Sequence, residues 1–486
     1  MMKLLRTFAF PAVMLLAAFT VASAQSPWQP LTNRATFPAG AMALLTDGTV
    51  LVHQEQSGAG NWYKLTPDNT GSYVNGTWTQ IASLPAGYAP LYFSIAVLTD
   101  GRTIIEGGEY NNGSQDWTNK GAIYDPLRNT WTSVTPPSGW SGIGDAPNVV
   151  LANGTYMQAN TLTTQAALLN QITLAWTATG AGKYDIYDEE GLTLMPNGNL
   201  LDVDTYVSPD NPNGTNYEIY NASAGTWSVA GQTPVQLWDS CGGSHELGPA
   251  VLRPDGTIFQ TGANGCGAGH TATYNTNTGT WTVGPDFPDN LDIADGPAAL
   301  LPTGNVLMMT SPGIFQTGSV FFEWDGTSLN QVPGPPNAAS DSSYYGKMLV
   351  LPTGQIMFTD FSTDIEIYTP TGSGNPAWAP TVLPSTNFRL LRGTPALVYG
   401  TQFNGQSQAC AYGDDYQCAT NYPLVRLTNQ STGHVFYAKT HNFSTMGVQT
   451  GSTLVSTEFD VPIQMETGET NLQVVTNGIA SNTITY

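Results

Sequence analysis

Positive charge is scarce in this chain. Lys and Arg number 14 against 36 Asp and Glu over 486 residues, a formal net charge of −22. No basic surface is available to displace counterions from phosphates, which argues against a nucleic-acid partner, and an anionic membrane surface is disfavoured for the same reason. Charge of either sign is thin, at 10% of residues, while Gly (52), Asn, Thr and Ser are plentiful. That balance excludes most helical architectures and points to an all-β, loop-rich chain. Beyond residue 20 no stretch is long and apolar enough to cross a bilayer. Cysteine is limited to four residues, which fall as two local pairs, Cys241/Cys266 and Cys410/Cys418.

The early apolar run, Phe8 to Thr20, follows Lys3 and Arg6 and precedes Ala22-Ser23-Ala24. This is the pattern of an export signal over residues 1–24, cleaved before Gln25, and predicts a secreted, periplasmic or extracellular protein. Export favours disulfides within the two local pairs. Cys241-x3-His245 and Cys266-x3-His270 also offer two thiols and two imidazoles, the donor set of a tetrahedral zinc or copper site. Cys410 and Cys418 enclose Ala411-Tyr-Gly-Asp-Asp-Tyr-Gln417 with no histidine beside them, so a stapled loop is expected there.

What the chain has in abundance is one repeated unit. In Ala250-Val-Leu-Arg-Pro-Asp-Gly-Thr-Ile-Phe-Gln-Thr-Gly262 two apolar runs flank a tight turn, a β-hairpin pattern in which Asp-Gly is expected to supply positive φ. The pattern recurs with turn glycines at 48, 101, 154, 198, 256, 304 and 354. A period of about 50 residues, with a hairpin and a later aromatic in each unit, is the signature of a kelch-type β-propeller. Third strands are expected around residues 122–124, 218–220, 273–274 and 366–368. Outer strands follow around Trp78, Trp131, Trp176, Trp227 and Trp281. Seven hairpins imply seven blades over residues 25–387. Trp28 is expected to supply the outer strand of the last blade and so close the ring, leaving Trp378 to lead into the next unit. From residue 388 the repeat stops. Shorter alternating strands predict an immunoglobulin-like β-sandwich over 388–486.

In a propeller each inner strand runs along the central channel. Counting back nine residues from each turn glycine reaches Tyr92, Asp145, Glu189, Asp295 and Tyr345 at one mouth. One residue further back lie Glu246 and Tyr344, with His245 close by. A chain so poor in charge has little reason to gather carboxylates without a ligand or metal; the competing reading is a hydrated acidic rim. The loop over residues 106–117 faces the same mouth. It mixes an aromatic with amides and acids, which suits a sugar.

The hairpins followed by a sandwich resemble galactose oxidase and its secreted kelch-type relatives. Tyr422-Pro-Leu-Val-Arg426, Gly433-His-Val-Phe-Tyr437, Lys439-Thr-His-Asn-Phe-Ser-Thr-Met-Gly447 and Asn477-Gly-Ile479 are similar to that family's C-terminal module. The resemblance implies one copper held by two tyrosines and two histidines, one tyrosine being bonded to a cysteine and carrying a radical. By blade position, Asp145 stands where the radical tyrosine belongs and Tyr92 where its cysteine belongs. Tyr344-Tyr345 stand for a Tyr-His pair. His441 matches the histidine that a sandwich loop carries into the channel. Asn160-Thr-Leu-Thr163 lacks the stacking tryptophan. The Tyr-Cys copper radical cofactor is therefore not expected. Asp145, Tyr344 and His441 with a neighbouring carboxylate suit one divalent ion instead, Ca²⁺, Mn²⁺ or Zn²⁺. No catalytic residue is assigned. The expectation is a monomer that binds carbohydrate or another polyol at the mouth. Two alternatives stand beside it: a metal-dependent enzyme acting on carbohydrate or alcohol, and a protein-interaction scaffold.

Overall fold

The repeated turns are type I turns closed by a glycine. In the first, the Gly48 amide donates to the Leu45 carbonyl at 2.9 Å and Leu45 pairs back with Thr49. All seven turn glycines adopt positive φ, from +77° to +88°, a region that costs side chains with a Cβ. The residue before each glycine keeps negative φ and does other work. Asp47 accepts from the Thr49 amide at 3.0 Å, and Asp100, Asn153, Asn197 and Asp255 repeat that bond to the amide two residues on. This is a three-residue hairpin loop with a glycine bulge. The Asp-Gly pair was expected to supply positive φ at both positions, and it does so only at Gly, because the acid is used as a side-chain acceptor.

A computed structural model describes residues 26–205, 215–239, 241, 244–384 and 389–486. The expected leader (1–24) and the boundary at 387/388 lie outside the described residues. The described chain is all-β and carries no α-helix, only short 3-10 turns, and none of its helices is long and apolar enough to cross a membrane.

Seven antiparallel sheets with four successive strands are found among the described residues, six of them built from strands in chain order. The first runs Ala39–Leu44, Val50–Gln54, Trp62–Thr66, Thr77–Gln80. The leading strands of the first to third and of the fourth to seventh sheets touch in succession, and Lys347–Val350 of the seventh returns to Ala39–Leu44 of the first. The fold is therefore of propeller type. Inner strands such as Val306–Thr310 and Ile356–Thr359 are buried along their whole length, being sandwiched between neighbouring sheets. That is why they read as unbroken apolar runs rather than as alternation. Outer strands such as Thr77–Gln80 face water.

The seventh sheet takes its outer strand from the start of the chain. Trp28–Pro30 pairs with Glu366–Tyr368. The Trp28 indole meets Phe321, Phe358 and Tyr368 at centroid distances of 5.3, 5.5 and 4.8 Å. Four of the outer-strand indoles make one further bond, reaching across to the exit segment of the preceding sheet. Trp78 donates to the Asn33 carbonyl, Trp131 to Ala82, Trp176 to Thr135 and Trp28 to Pro333. These four tryptophans stitch sheet to sheet. Trp378 makes no such strand; it lies in the turn Pro376–Trp378.

The C-terminal unit centres on Pro395–Thr401, Val455–Asp460, Val435–His441, Leu424–Asn429 and Thr470–Thr476, paired in that order. Its apolar core includes Val398, Phe403, Val425, Leu427, Phe459, Leu472 and Val474. It docks on the turn face of the ring: Thr440, Asn442 and Met446 amides donate to the carbonyls of Thr46, Thr99 and Ala152 at 3.2, 2.7 and 2.9 Å.

From that face the chain enters the channel. Residues 404–422 form a finger that climbs one wall and descends another. On the way up, Gln408 accepts from the Leu194 amide at 2.8 Å, and Cys410–Ala411 adds a strand beside Ala298–Leu300. On the way down, Tyr416 exchanges bonds with the Met42 backbone and Tyr422 donates to the Leu44 carbonyl. The disulfide Cys410–Cys418 ties the two limbs. At the tip, Gly413 fits where a Cβ would lie 2.5 Å from the Leu247 carbonyl oxygen.

Candidate functional site

The leading ends of the inner strands and the tip of the finger meet at the mouth opposite the turns. They enclose a cavity of about 390 Å³ lined by Tyr92, Glu109, Tyr110, Asp145, Glu189, Glu246, Asp295, Phe315, Tyr344, Tyr412, Asp414 and Asp415. Seven of these twelve side chains are carboxylates and five are aromatic. Ring position explains the gathering. Asp145 precedes the third sheet, Glu189 the fourth, Glu246 the fifth and Asp295 the sixth, so residues far apart in sequence share one rim. Tyr92 holds a positive φ of 51° and Asp295 one of 44°. Bulky and acidic side chains rarely adopt that region, and such strain concentrates where a side chain must be aimed.

Burial sets the protonation of this rim. It raises the carboxyls of Asp145, Glu189, Glu246 and Asp415 well above their ordinary range, and neighbouring acids raise them further. Asp295 is pushed up to about 8, by burial first and then by the charge of Asp414. Asp188, just behind the rim and within 3.3 Å of the Thr161 hydroxyl, is pushed up to about 7 by burial. The nearby cation is Lys347. Its ammonium donates to the Tyr344 carbonyl at 2.9 Å and sits 3.8 Å over the Tyr412 ring. Burial lowers its pKa.

Glu189, Asp295 and Asp414 each offer a carboxylate oxygen, and these oxygens all lie within 4.8 Å of one another. The Oδ1 atoms of Asp295 and Asp414 and the Oε2 of Glu246 are buried without a hydrogen-bond partner. With every acid ionised no donor serves them; a shared proton or a cation would.

Of the expected site residues, the structure brings Tyr92, Asp145, Glu189, Glu246, Asp295 and Tyr344 into this one cavity. Tyr345 lies just behind it, against Tyr344 and Phe361. His245 turns aside: its ring stacks on Trp238 at 5.5 Å and its Nδ1 lies 3.1 Å from the Thr205 carbonyl. His441 is not at the mouth. It ends Val435–His441 on the turn face, between Glu458 and Asp460 at 3.6 and 3.5 Å. The expected metal set of Asp145, Tyr344 and His441 therefore does not assemble. The segment that enters the channel is 404–422, and its tip carries Asp414-Asp415 where a histidine was expected. Glu109 and Tyr110 come from the loop singled out for a sugar; Phe315, Tyr412, Asp414 and Asp415 were missed. The available clue was the Cys410/Cys418 pair enclosing two acids and two tyrosines. Cys241 and Cys266 are joined as a disulfide, and His270 pairs with Asp286 at 2.7 Å, so the zinc or copper reading of those four residues falls.

A second acidic cluster lies inside the fourth sheet. The fully buried Lys183 ammonium is 2.7 Å from Glu218, 3.0 Å from Asp202, 3.3 Å from Glu190 and 3.7 Å from Asp204. It lies outside the lining of the mouth cavity.

No family model and no curated protein matches the chain. Solved structures do. A fungal alcohol oxidase of the AA5 family, in complex with copper, superposes with a TM-score of 0.53 at 13% identity, over 94% of this chain and 98% of that one. A catalytically inactive virginiamycin B lyase from Staphylococcus aureus with quinupristin gives 0.48 at 11% identity, over 71% of this chain and 99% of that one. The chain thus shares a galactose oxidase-like propeller fold with the first of these.

Proposed function

We propose that this chain is an exported, monomeric, seven-bladed kelch-type propeller (25–387) with a C-terminal immunoglobulin-like unit (388–486). In this reading it recognises carbohydrate or another polyol at the acidic mouth, without copper-radical chemistry. One observation carries the reading: carboxylates and exposed ring edges converge in one preformed concave cavity. Vicinal hydroxyls need acceptors at close spacing, and the apolar face of a sugar ring needs an aromatic to rest on. Tyr92, Tyr110, Phe315 and Tyr344 supply rings; Glu109, Asp145, Glu189 and Asp414 supply acceptors.

The donor set does not fit a copper radical. The four cysteines are paired with each other, leaving no thiol for a thioether. No histidine lines the cavity. Oxygen-only donors suit hard cations rather than copper. A glycan array probed with the mature protein tests the proposal: at least one glycan class is retained, and Asp145→Ala with Glu189→Ala abolishes the signal. Silence across the array would turn attention to a protein partner.

A second reading rests on Asp295. A buried carboxylic acid held protonated near neutrality beside Glu246 is placed to donate a proton, as a glycosidase acid does. Hydrolysis of an array-positive glycan, reduced at least a hundredfold in Asp295→Asn while binding persists, would establish it.

A further inference from the structure

We infer that Glu189, Asp295 and Asp414 form a calcium site at the channel mouth, with Glu246 beside it. Two independent observations point there. Three carboxylate oxygens from the fourth sheet's entry, the sixth sheet's entry and the finger tip fall within 4.8 Å of one another. That spacing matches oxygens spanning a single ion at about 2.3–2.6 Å, including a trans pair. Separately, Glu246 is only 4% exposed and lines the same cavity, and its Oε2 meets no donor: the group it faces is the Asp295 carboxyl, so with both ionised only a cation can serve it. An unpaired buried carboxylate is costly, and a cation relieves it.

No ion pair relieves these three acids. Among the described residues no Lys, Arg or His nitrogen pairs within 4 Å with the three carboxylates; Lys347, which donates to the Tyr344 carbonyl and lies over the Tyr412 ring, acts on Asp295 and Asp414 only from farther away. Nitrogen and sulfur donors are absent from the cavity lining. An all-oxygen set with flexible denticity favours Ca²⁺ over Zn²⁺ or copper, and over Mg²⁺, which demands a tighter octahedron. Three side chains leave coordination positions free towards the cavity. Two adjacent hydroxyls of a polyol would fill them, a step that rests on the function proposed above.

Calorimetry with CaCl₂ on the mature, EDTA-stripped protein, without sugar, tests the ion alone. One site of Kd roughly 10⁻⁵ to 10⁻³ M is expected, together with a rise in melting temperature. Glu189→Gln and Asp414→Asn, each checked for native circular dichroism, should weaken Ca²⁺ at least tenfold. Absence of heat and of any thermal shift in the unmutated protein would overturn the site, whatever the variants do. Glycan binding is then measured with Ca²⁺ and with EDTA. A loss of at least tenfold in EDTA supports ligation of the polyol by the ion. Binding unchanged by EDTA would overturn that ligation, and a silent array with Ca²⁺ bound would count against the carbohydrate reading and not against the ion.

Discussion

Asp295 and Asp188 each tie stability to pH at the mouth. Their carboxyls, at about 8 and about 7, sit above the range of an unfolded chain. Folding therefore takes up protons at these positions. Their contribution to stability is complete below about pH 4 and is lost as pH rises through 7 and 8. In the absence of divalent cations the melting temperature should fall between pH 5 and pH 9, and Asp295→Asn should flatten that slope. A melting temperature that climbs over the same range would contradict the assignment. Ca²⁺ should oppose the fall, because it takes the place of the protons. Lys183 is the other residue on which much depends. Lys183→Met strands Glu190, Asp202, Asp204 and Glu218 around an apolar side chain. Breaking a buried pair in this way costs about 3–5 kcal/mol. Urea denaturation of the variant beside the unmutated protein should show it.

At the scale of elements, hairpin and finger behave differently because only one of them repeats. Each hairpin was legible from its own residues. The turn glycine, the acid or amide before it and the apolar runs on either side are local features, and counting along a strand from a fixed turn gives the rim. Six rim residues follow from that count. The finger has no second copy to compare with, and its partners are Leu194, Ala298, Met42 and Leu44, all remote in sequence. His441 was a plausible tip only as long as the inserted segment was unknown; its strand pairing with Val455–Asp460 keeps it on the far face. The finger's rigidity can be tested directly. Replacing Cys410 and Cys418 by serine opens a closed loop of eight-residue separation, with an expected loss of about 2–3 kcal/mol. If the tip positions Asp414, glycan and Ca²⁺ affinity should fall at least tenfold in this double variant. Unchanged affinity would mean that the channel walls alone hold the tip. On the turn face, Gly48→Ala should cost about 1–2 kcal/mol by forcing a Cβ into positive φ and against the Tyr437 ring.

For the molecule as a whole, closure is the decisive feature. The seventh sheet is completed by Trp28–Pro30, a segment more than 330 residues from its partner strand Glu366–Tyr368. This pairing was legible because Trp28 precedes the first hairpin and so has no sheet of its own to complete. Trp28→Ala removes a buried indole that meets three aromatic rings and bonds to Pro333. The expected loss is about 3–5 kcal/mol, accompanied by aggregation through the freed edge of Glu366–Tyr368; denaturation and light scattering report both. The inserted finger adds a constraint on assembly order. The central shaft is filled by residues made near the end of synthesis, so earlier portions must wait in a half-joined state until residues 404–422 have been threaded or wrapped. A chain cut short before residue 404 should fail as a hollow, sticky circle rather than survive as a smaller stable body. Residues 28–30 and the finger both act as fasteners, and neither can be removed without unmaking the middle.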